Sequence, residues 1–460
     1  MIWFSIFVLV NVVAWVFILS SKYPFILAVI VIFLTPLLSG MTRGAIIPYL
    51  KPNEAVLVGI FFMYLLGLIF FNHATSNSSK LFSFIDIGFF ILFLGTGLIP
   101  LIKTLYTSNG ISFNDIFPYL STVQYFLLYK IVTGTVRSKK DLRMVLYAFI
   151  ISGMIVSFLA ILEGFHVKFV ENLLWRFYPS VHLTDTLTNT RVASILGNWA
   201  AMAAFSIIQI LFSLIMLSRC RGFIKSWVLY LCVALSALAF VPTVSMAGAV
   251  GLFIGGLYFL FDKSLRKYVI LAAFLIGVGV WIFLPFVQNR LNIQFSGLNG
   301  GYVSLLPSTF VHRIMLWSSI YLPVIRQNLI WGYGPNIPFE IGGGITTTQE
   351  SEYIGLLFTS GIVGLIAHLS YVAIVFSGLL RIYKTKGNFN RIFSEFSMVL
   401  LVILSIMGIS NSYFSYSGVA ESLWLFCSLS VCVYFQPFQN IEINPDARGN
   451  LMQSSIGSNG

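Results

Sequence analysis

Apolar runs about as long as a bilayer is thick follow one another along nearly the whole chain, and no other feature narrows its fold as far. A helix rises about 1.5 Å per residue and the hydrocarbon core is about 30 Å thick, so roughly 20 mostly apolar residues make one crossing. Such runs fall at 2–19, 23–39, 55–72, 84–102, 116–134, 144–162, 199–217, 226–241, 245–261, 268–287, 353–377, 393–410 and 419–435. Charged residues make up only 9% of the chain and hydrophobic residues 58%, against roughly 25% and 45–50% in soluble domains. The fold expected is all-α: a polytopic integral membrane protein with about 12–14 transmembrane helices and two long outer loops. One membrane domain over 1–439 and a polar, disordered tail at 440–460 account for all 460 residues. The first run lacks a basic leader and a small-residue cleavage site, so it reads as a retained helix. A soluble enzyme with a membrane tail is excluded. No run fits G-x-x-x-x-G-K-[ST], so an ATP-driven pump would need a partner chain.

The 27 Lys and Arg against 15 Asp and Glu give a net charge of +12, which in a membrane protein reports topology before nucleic-acid binding. Arg137, Lys139, Lys140 and Arg143; Arg219, Arg221 and Lys225; Lys263, Arg266 and Lys267; and Arg381, Lys384, Lys386 and Arg391 fill alternate loops. These are assigned to the cytoplasmic side. The polar stretches at about 163–198 and 288–352 then fall together on the outer face, and the N-terminus is placed outside. Cys220, Cys232, Cys427 and Cys432 show no C-x-x-C spacing, so neither a disulfide framework nor a thiolate metal site is expected, and no cofactor is called for. Lys130, Asp86, Glu395 and Glu421 sit near span ends, where snorkelling and helix dipoles accommodate charge. The lack of mid-membrane charge argues against a proton- or sodium-coupled transporter.

Three constellations on the outer stretches could carry chemistry. Arg191 precedes Gly197-Asn198 at the entry to the seventh span, where an Arg can clamp phosphate oxygens and Asn can cap a helix; an interfacial anchor followed by a cap explains it equally. His312-Arg313 and Trp317 are followed by Arg326 and Trp331-Gly-Tyr333-Gly-Pro-Asn336. Arg313 and Trp317 share a helix face at i, i+4, and Trp suits a sugar ring, although an amphipathic interfacial helix with a tight turn reads the same way. Glu350-Ser351-Glu352-Tyr353 leads into Gly361-Ile-Val-Gly364. Two carboxylates at i, i+2 do not share a helix face, so Glu350 is expected to face a site with Tyr353 near it, and Glu352 to turn away. A solvated helix start is the plainer reading of those carboxylates.

In order and topology, over about 190–365, these motifs closely resemble the O-antigen ligase and O-antigen polymerase (Wzy) superfamily, with a GT-C-like fold implied. The ligases carry His-Asn, nine residues, Gly, two residues, Gly; here Glu350-Ser351, Gly361 and Gly364 keep the spacing and Glu350 replaces the histidine. That replacement favours the polymerase branch. Met246, in Val244-Ser245-Met246, stands where many relatives have Arg. The resemblance implies a glycosyltransferase of a bacterial inner membrane. It would move a polyprenyl-diphosphate-linked glycan onto a hydroxyl of a new lipid-linked repeat unit, at the periplasmic face, without metal or nucleotide. Glu350 would be the base, Arg313 and His312 its neighbours in catalysis, and Arg191, Arg326, Asn198, Trp317, Tyr333 and Tyr353 would bind diphosphate and sugar. Partners would be the lipid-linked oligosaccharides, the bilayer, a chain-length regulator and a flippase. The rival readings are a ligase, a polysaccharide flippase or other transporter, and a structural membrane subunit with no activity.

Overall fold

The computed structural model describes residues 15–42, 51–70, 83–102, 113–178, 191–295, 307–334, 350–385 and 387–435. The polar tail, most of the first expected span, Pro335-Asn336 and Thr346–Gln349 lie outside the described residues. The described residues are helical, with no β-strand. In chain order the helices are α1 (Phe25–Leu38), α2 (Pro52–Phe70), α3 (Phe84–Ile102), α4 (Phe113–Thr135), α5 (Lys139–Gly164), α6 (Lys168–Phe177), α7 (Trp199–Arg219), α8 (Ser226–Phe240) and α9 (Met246–Leu260). They continue with α10 (Arg266–Ile282), α11 (Leu284–Phe295), α12 (Ser308–Leu316), α13 (Leu322–Gln327), α14 (Glu352–Tyr383), α15 (Asn388–Met407) and α16 (Val419–Phe435).

Among the described residues seven helices are long and apolar enough to cross a membrane, or eight if α10 and α11 form one bent span. Most of the first of the dozen or so expected crossings lies outside those residues. α1, α9 and α16 are apolar but run only 14, 15 and 17 residues. The expected straight span at 268–287 is corrected: α10 and α11 meet at 82°, because Pro285 at the second position of α11 has no N–H for a continuing helix and its ring clashes with the preceding turn.

The centre of the bundle is α7, buried around its whole circumference over its apolar window. A helix apolar on every side has no water face to offer and goes to the core. Its buried amide is bonded internally: Gln209 Nε2 donates to the Phe149 carbonyl (3.2 Å) while Cys232 Sγ donates to Gln209 Oε1 (3.4 Å). Outer helices instead expose Phe62, Ile69, Phe90, Phe253, Phe274 and Trp281. In water such a belt would be costly, whereas against acyl chains it is not. The protein is membrane-embedded.

Side-chain contacts sort the connections into two ends. Arg143 lies over the Phe223 ring (5.2 Å), Phe223 against Phe389 (5.0 Å), and Ser218 donates to Ser264 (2.9 Å). Thus all four basic loops or their immediate flanks gather at one end, as the alternation of charge required. At the other end the Gly40 N–H donates to Ile195 (3.0 Å), the Val192 N–H to Pro242 (2.9 Å) and the Glu352 N–H to Gly408 (2.8 Å).

Helix α14 is broken at Gly361, whose φ of 65° and ψ of −164° leave the helical region. Tyr353 and His368 would stand about 22 Å apart along an unbroken helix, yet their ring centroids are 6.2 Å apart; the break folds the start of α14 back against the rest. The segment after α13 fills the gap. Tyr333 and Gly334 N–H groups donate to Phe358 and Thr359 carbonyls (both 2.8 Å), while the Ile362 N–H donates to Leu329 (2.8 Å). A Cβ at Gly361 would collide with the Ile330 carbonyl and one at Gly332 with the Gly361 peptide. The glycines of both motifs thus serve this junction, which satisfies backbone groups that the bilayer could not.

Candidate functional site

The connection from α15 to α16 runs Gly408-Ile-Ser-Asn-Ser-Tyr-Phe-Ser-Tyr-Ser-Gly418 and forms the floor of a polar region at the end opposite the basic loops. It is tied down by its backbone: the Glu352 N–H holds Gly408, and the Tyr125 hydroxyl donates to the Ser415 carbonyl (3.3 Å). Glu352 begins α14 behind the Ser351 cap and is only 9% exposed. Its carboxylate accepts the Phe414 N–H, and its charge reaches the Tyr125 and Tyr416 hydroxyls. Yet Glu352 Oε2 and Asn411 Nδ2 are buried without a hydrogen-bond partner of good geometry, an arrangement costing about 1–3 kcal/mol per group unless a ligand, proton or water completes it. The Tyr416 hydroxyl donates to Asn411 Oδ1 (3.1 Å) and lies against the Asn198 side chain. Burial pushes the Tyr413 phenol up to about 12 and that of Tyr416 further, with the Glu352 charge adding to the latter. Both hydroxyls therefore stay protonated and can donate at neutral pH.

A second wall comes from residues 191–198. Glu163, buried at the end of α5, accepts the Ser194 N–H (2.6 Å) and the Ala193 N–H (3.5 Å). That grip holds Ser194 at φ 54° and leads through Gly197 at φ 70° to Asn198, a backbone path that costs a non-glycine residue of order 1–3 kcal/mol. Asn198 Oδ1 then caps α7 by accepting the Ala200 (2.7 Å) and Ala201 (3.3 Å) N–H groups, as its place in the sequence implied. The Arg191 guanidinium stacks over Trp199 at 3.8 Å. Between the two walls lies a cavity of about 360 Å³ lined by Lys51, Asn198, Ser415, Tyr416 and Ser417, among others.

The third component is an ion pair. Arg313 Nε donates to Glu350 Oε2 at 2.7 Å, with Glu350 held at φ 47° just before α14. The Arg313 charge also reaches Tyr413 and Tyr416. The structure thus gathers Asn198, Arg313 and Glu350 about one loop, with Arg191 beside Asn198 on Trp199. It does not gather the rest of the expected site. His312 and Arg326 are exposed, and no described contact links Arg326 to Arg191 or Arg313. Trp317 and Tyr333 pack around Leu316, Tyr321, Ile325 and Phe358, with the Tyr333 ring stacked on Phe358 (5.5 Å). The Tyr353 hydroxyl is spent on the Ser405 carbonyl (2.6 Å). The expectation for the two carboxylates is reversed: Glu352 is buried and Glu350 is the more open one, because helix α14 starts at 352 and Glu350 precedes it in a left-handed turn.

Four participants went unnoticed in the sequence: Glu352 as an inward group, the Asn411–Ser417 loop, Lys51 and His368. The loop had a signal, since alternating Ser, Asn and Tyr between two apolar spans is unusual for a plain turn. His368 lies deep in α14 with Nε2 buried and unpartnered, against the Phe414 ring at 4.8 Å. A search for Asp, Glu, Lys and Arg alone passes over it, so the absence of mid-membrane ionisable groups is also corrected. Among the described residues no three His, Cys, Asp or Glu side chains are placed to hold a metal ion. The chain matches no protein-family model, and comparison with curated proteins finds none similar to it.

Proposed function

We propose that this protein is a membrane glycosyltransferase that polymerises polyprenyl-diphosphate-linked oligosaccharide repeat units, working at the end of the bundle opposite the basic loops. The positive-inside rule supports an orientation with that end away from the cytoplasm, which in this reading is the periplasmic face of a bacterial inner membrane. The observation that carries the reading is the convergence of Arg313, Asn198, Glu352 and two tyrosine hydroxyls on the 408–418 loop beside a polar cavity. Glycosyl transfer from a lipid diphosphate needs what such a site contains: a cation for charge developing on the leaving group, hydroxyl donors for a sugar, and a carboxylate for the acceptor proton. The energy resides in the glycosyl–phosphate bond, so no nucleotide is required.

In this reading the proton acceptor is Glu352 and not Glu350. Glu350 already neutralises Arg313 and holds its guanidinium in place, whereas Glu352 has an oxygen with no protein partner. The acceptor O–H gives its proton to the carboxylate, its oxygen bonds to the anomeric carbon, and the carbon–oxygen bond to the diphosphate breaks with the electron pair leaving on phosphate. Purified protein in a bilayer, given lipid-linked repeat units, is expected to yield a ladder of polymers. No ladder from wild-type protein with several repeat-unit chemistries would end this reading.

One observation favours a second reading, a flippase or other transporter. A buried His368 with a free nitrogen beside a broken helix is a common arrangement at transport sites. Vesicles that move lipid-linked oligosaccharide across the bilayer without elongating it would select that alternative.

A further inference from the structure

Among the described residues the cavity beside Asn198 is lined by Ser39, Thr42, Ser415, Tyr416 and Ser417 and by one cation, Lys51, with no carboxylate. The Ser39, Ser415 and Tyr416 hydroxyls donate to Pro36, Ser412 and Asn411, whereas Ser417 Oγ accepts from Asn53 Nδ2 (3.5 Å) and keeps its own proton to donate. The Lys51 ammonium makes no ion pair within 4 Å among the described residues, although Lys51 stands one helical turn before the buried Glu54 and within electrostatic reach of Glu421. Both carboxylates are engaged otherwise. Glu54 Oε2 accepts the Lys51 backbone N–H (3.0 Å), and Glu421 accepts the Gly418 N–H (2.5 Å) and Asn53 Nδ2 (3.4 Å). A lysine with no ion pair among the described residues, lining a cavity with the Ser417 hydroxyl and no described carboxylate, is complementary to an anion rich in acceptor oxygens. The α7 N-terminus, at Asn198 on the same wall, adds positive potential. Arg191 is stacked over Trp199 and Arg313 shares its charge with Glu350, so Lys51 adds a second cation to the one Arg313 supplies.

We propose that Lys51 and the Ser417 hydroxyl form the seat of a diphosphate group, placing the leaving phosphate in the cavity between α7, the start of α2 and the 408–418 loop. This rests on the glycosyl-transfer reading for its biological meaning but not for its test. At about 360 Å³ the cavity is near the lower end of small-molecule sites, enough for a diphosphate with part of its attached sugar and too small for an oligosaccharide. The glycan would then lie toward Arg313 and Tyr413, and the lipid tail outside the cavity.

Full-length protein in neutral phosphatidylcholine nanodiscs would be titrated with inorganic pyrophosphate, and separately reconstituted with polyprenyl diphosphate and, as a neutral control, polyprenol. Lys51→Met keeps the backbone N–H bond to Glu54 and much of the side-chain bulk. It is expected to weaken diphosphate binding tenfold or more, with Lys51→Arg retaining most of it. Ser417→Phe, which fills the cavity without changing charge, should lose binding as well. Lys51-dependent binding of both probes assigns recognition to the headgroup alone, binding of the lipid only adds a requirement for the tail, and binding of pyrophosphate only identifies a free anion as the ligand. Each of these supports the seat. Wild-type protein that binds neither probe, Lys51→Met protein that binds both unchanged, or binding that survives Ser417→Phe would overturn it. If the seat binds while polymerisation fails, the functional reading falls and the seat stands; polymerisation untouched by Lys51→Met leaves the reading and removes the seat.

Discussion

At the end of the bundle formed by residues 218–225, 262–268 and 388–395, Arg219 is shared between Asp262 (2.6 Å) and Glu395 (2.5 and 3.1 Å), and Glu395 also accepts from Tyr258 (3.2 Å). Nearby on the same side Lys130 pairs with Asp86, whose other oxygen accepts the Ser83 N–H (2.7 Å). At the opposite end Glu352 and Asn411 each keep a buried polar atom without a partner, and Lys51 lines a cavity. Saturated networks rigidify, whereas unsaturated ones carry a desolvation cost that persists only if something offsets it. The difference teaches where to look for ligands in a bundle rich in internal polar contacts: where hydrogen-bonding capacity is left over.

The comparison would break first at Glu352. Glu352→Gln cannot accept a proton and is expected to cut polymer formation by about 10²–10⁴, while Glu350→Gln loses less because it acts through Arg313. Initial rates with lipid-linked repeat unit decide; a fully active Glu352→Gln variant would return the base to Glu350 or elsewhere. At the saturated end, Arg219→Ala should leave Glu395 buried and unpaired. Loss of roughly 3 kcal/mol of stability is expected, read as a lowered melting temperature in detergent, with activity per folded molecule preserved. Loss of catalysis at full stability would mean that end is not merely structural.

Arg313→Ala is expected to lower polymer yield roughly tenfold to hundredfold, as loss of a charge-assisted contact of about 1.5–3 kcal/mol implies. Arg326→Ala should stay within twofold, since nothing in the structure brings it to the site. Equal defects in both variants would mean that the two arginines do not differ in their relation to the site. The smallest effect concerns pH. Burial alone would raise the Asp262 carboxyl, but the bonds from Arg219 and Ser264 outweigh it and hold Asp262 below the ordinary value of 3.8. Its contribution is therefore complete above that unfolded value and fades as pH falls through the lower folded one. A melting series on wild type and Asp262→Asn should converge in acid and separate by a degree or so near neutrality; a gap that widens in acid would reverse the sign.

What the sequence determined by itself was the solvent and the bookkeeping of sides. Crossing a bilayer takes a run of apolar residues, and Lys and Arg in short loops report the side, so the membrane class and the grouping of the four basic loops were legible from local composition. Asn198 as the α7 cap was legible for the same reason, since a cap depends on its immediate neighbours. Tertiary structure alone decided that Glu352 faces inward and Glu350 pairs with Arg313, because a left-handed residue at 350 and a helix start at 352 set directions that an i, i+2 count cannot. It alone matched Gly332 to Gly361 across the broken helix, and it alone put Lys51, Asn198 and Tyr416 around one cavity. These residues lie more than 350 positions apart at the extremes. Their meeting depends on how the start of α2, the α7 N-terminus and the 408–418 loop come together at one end of the bundle, a packing arrangement that no local pattern encodes.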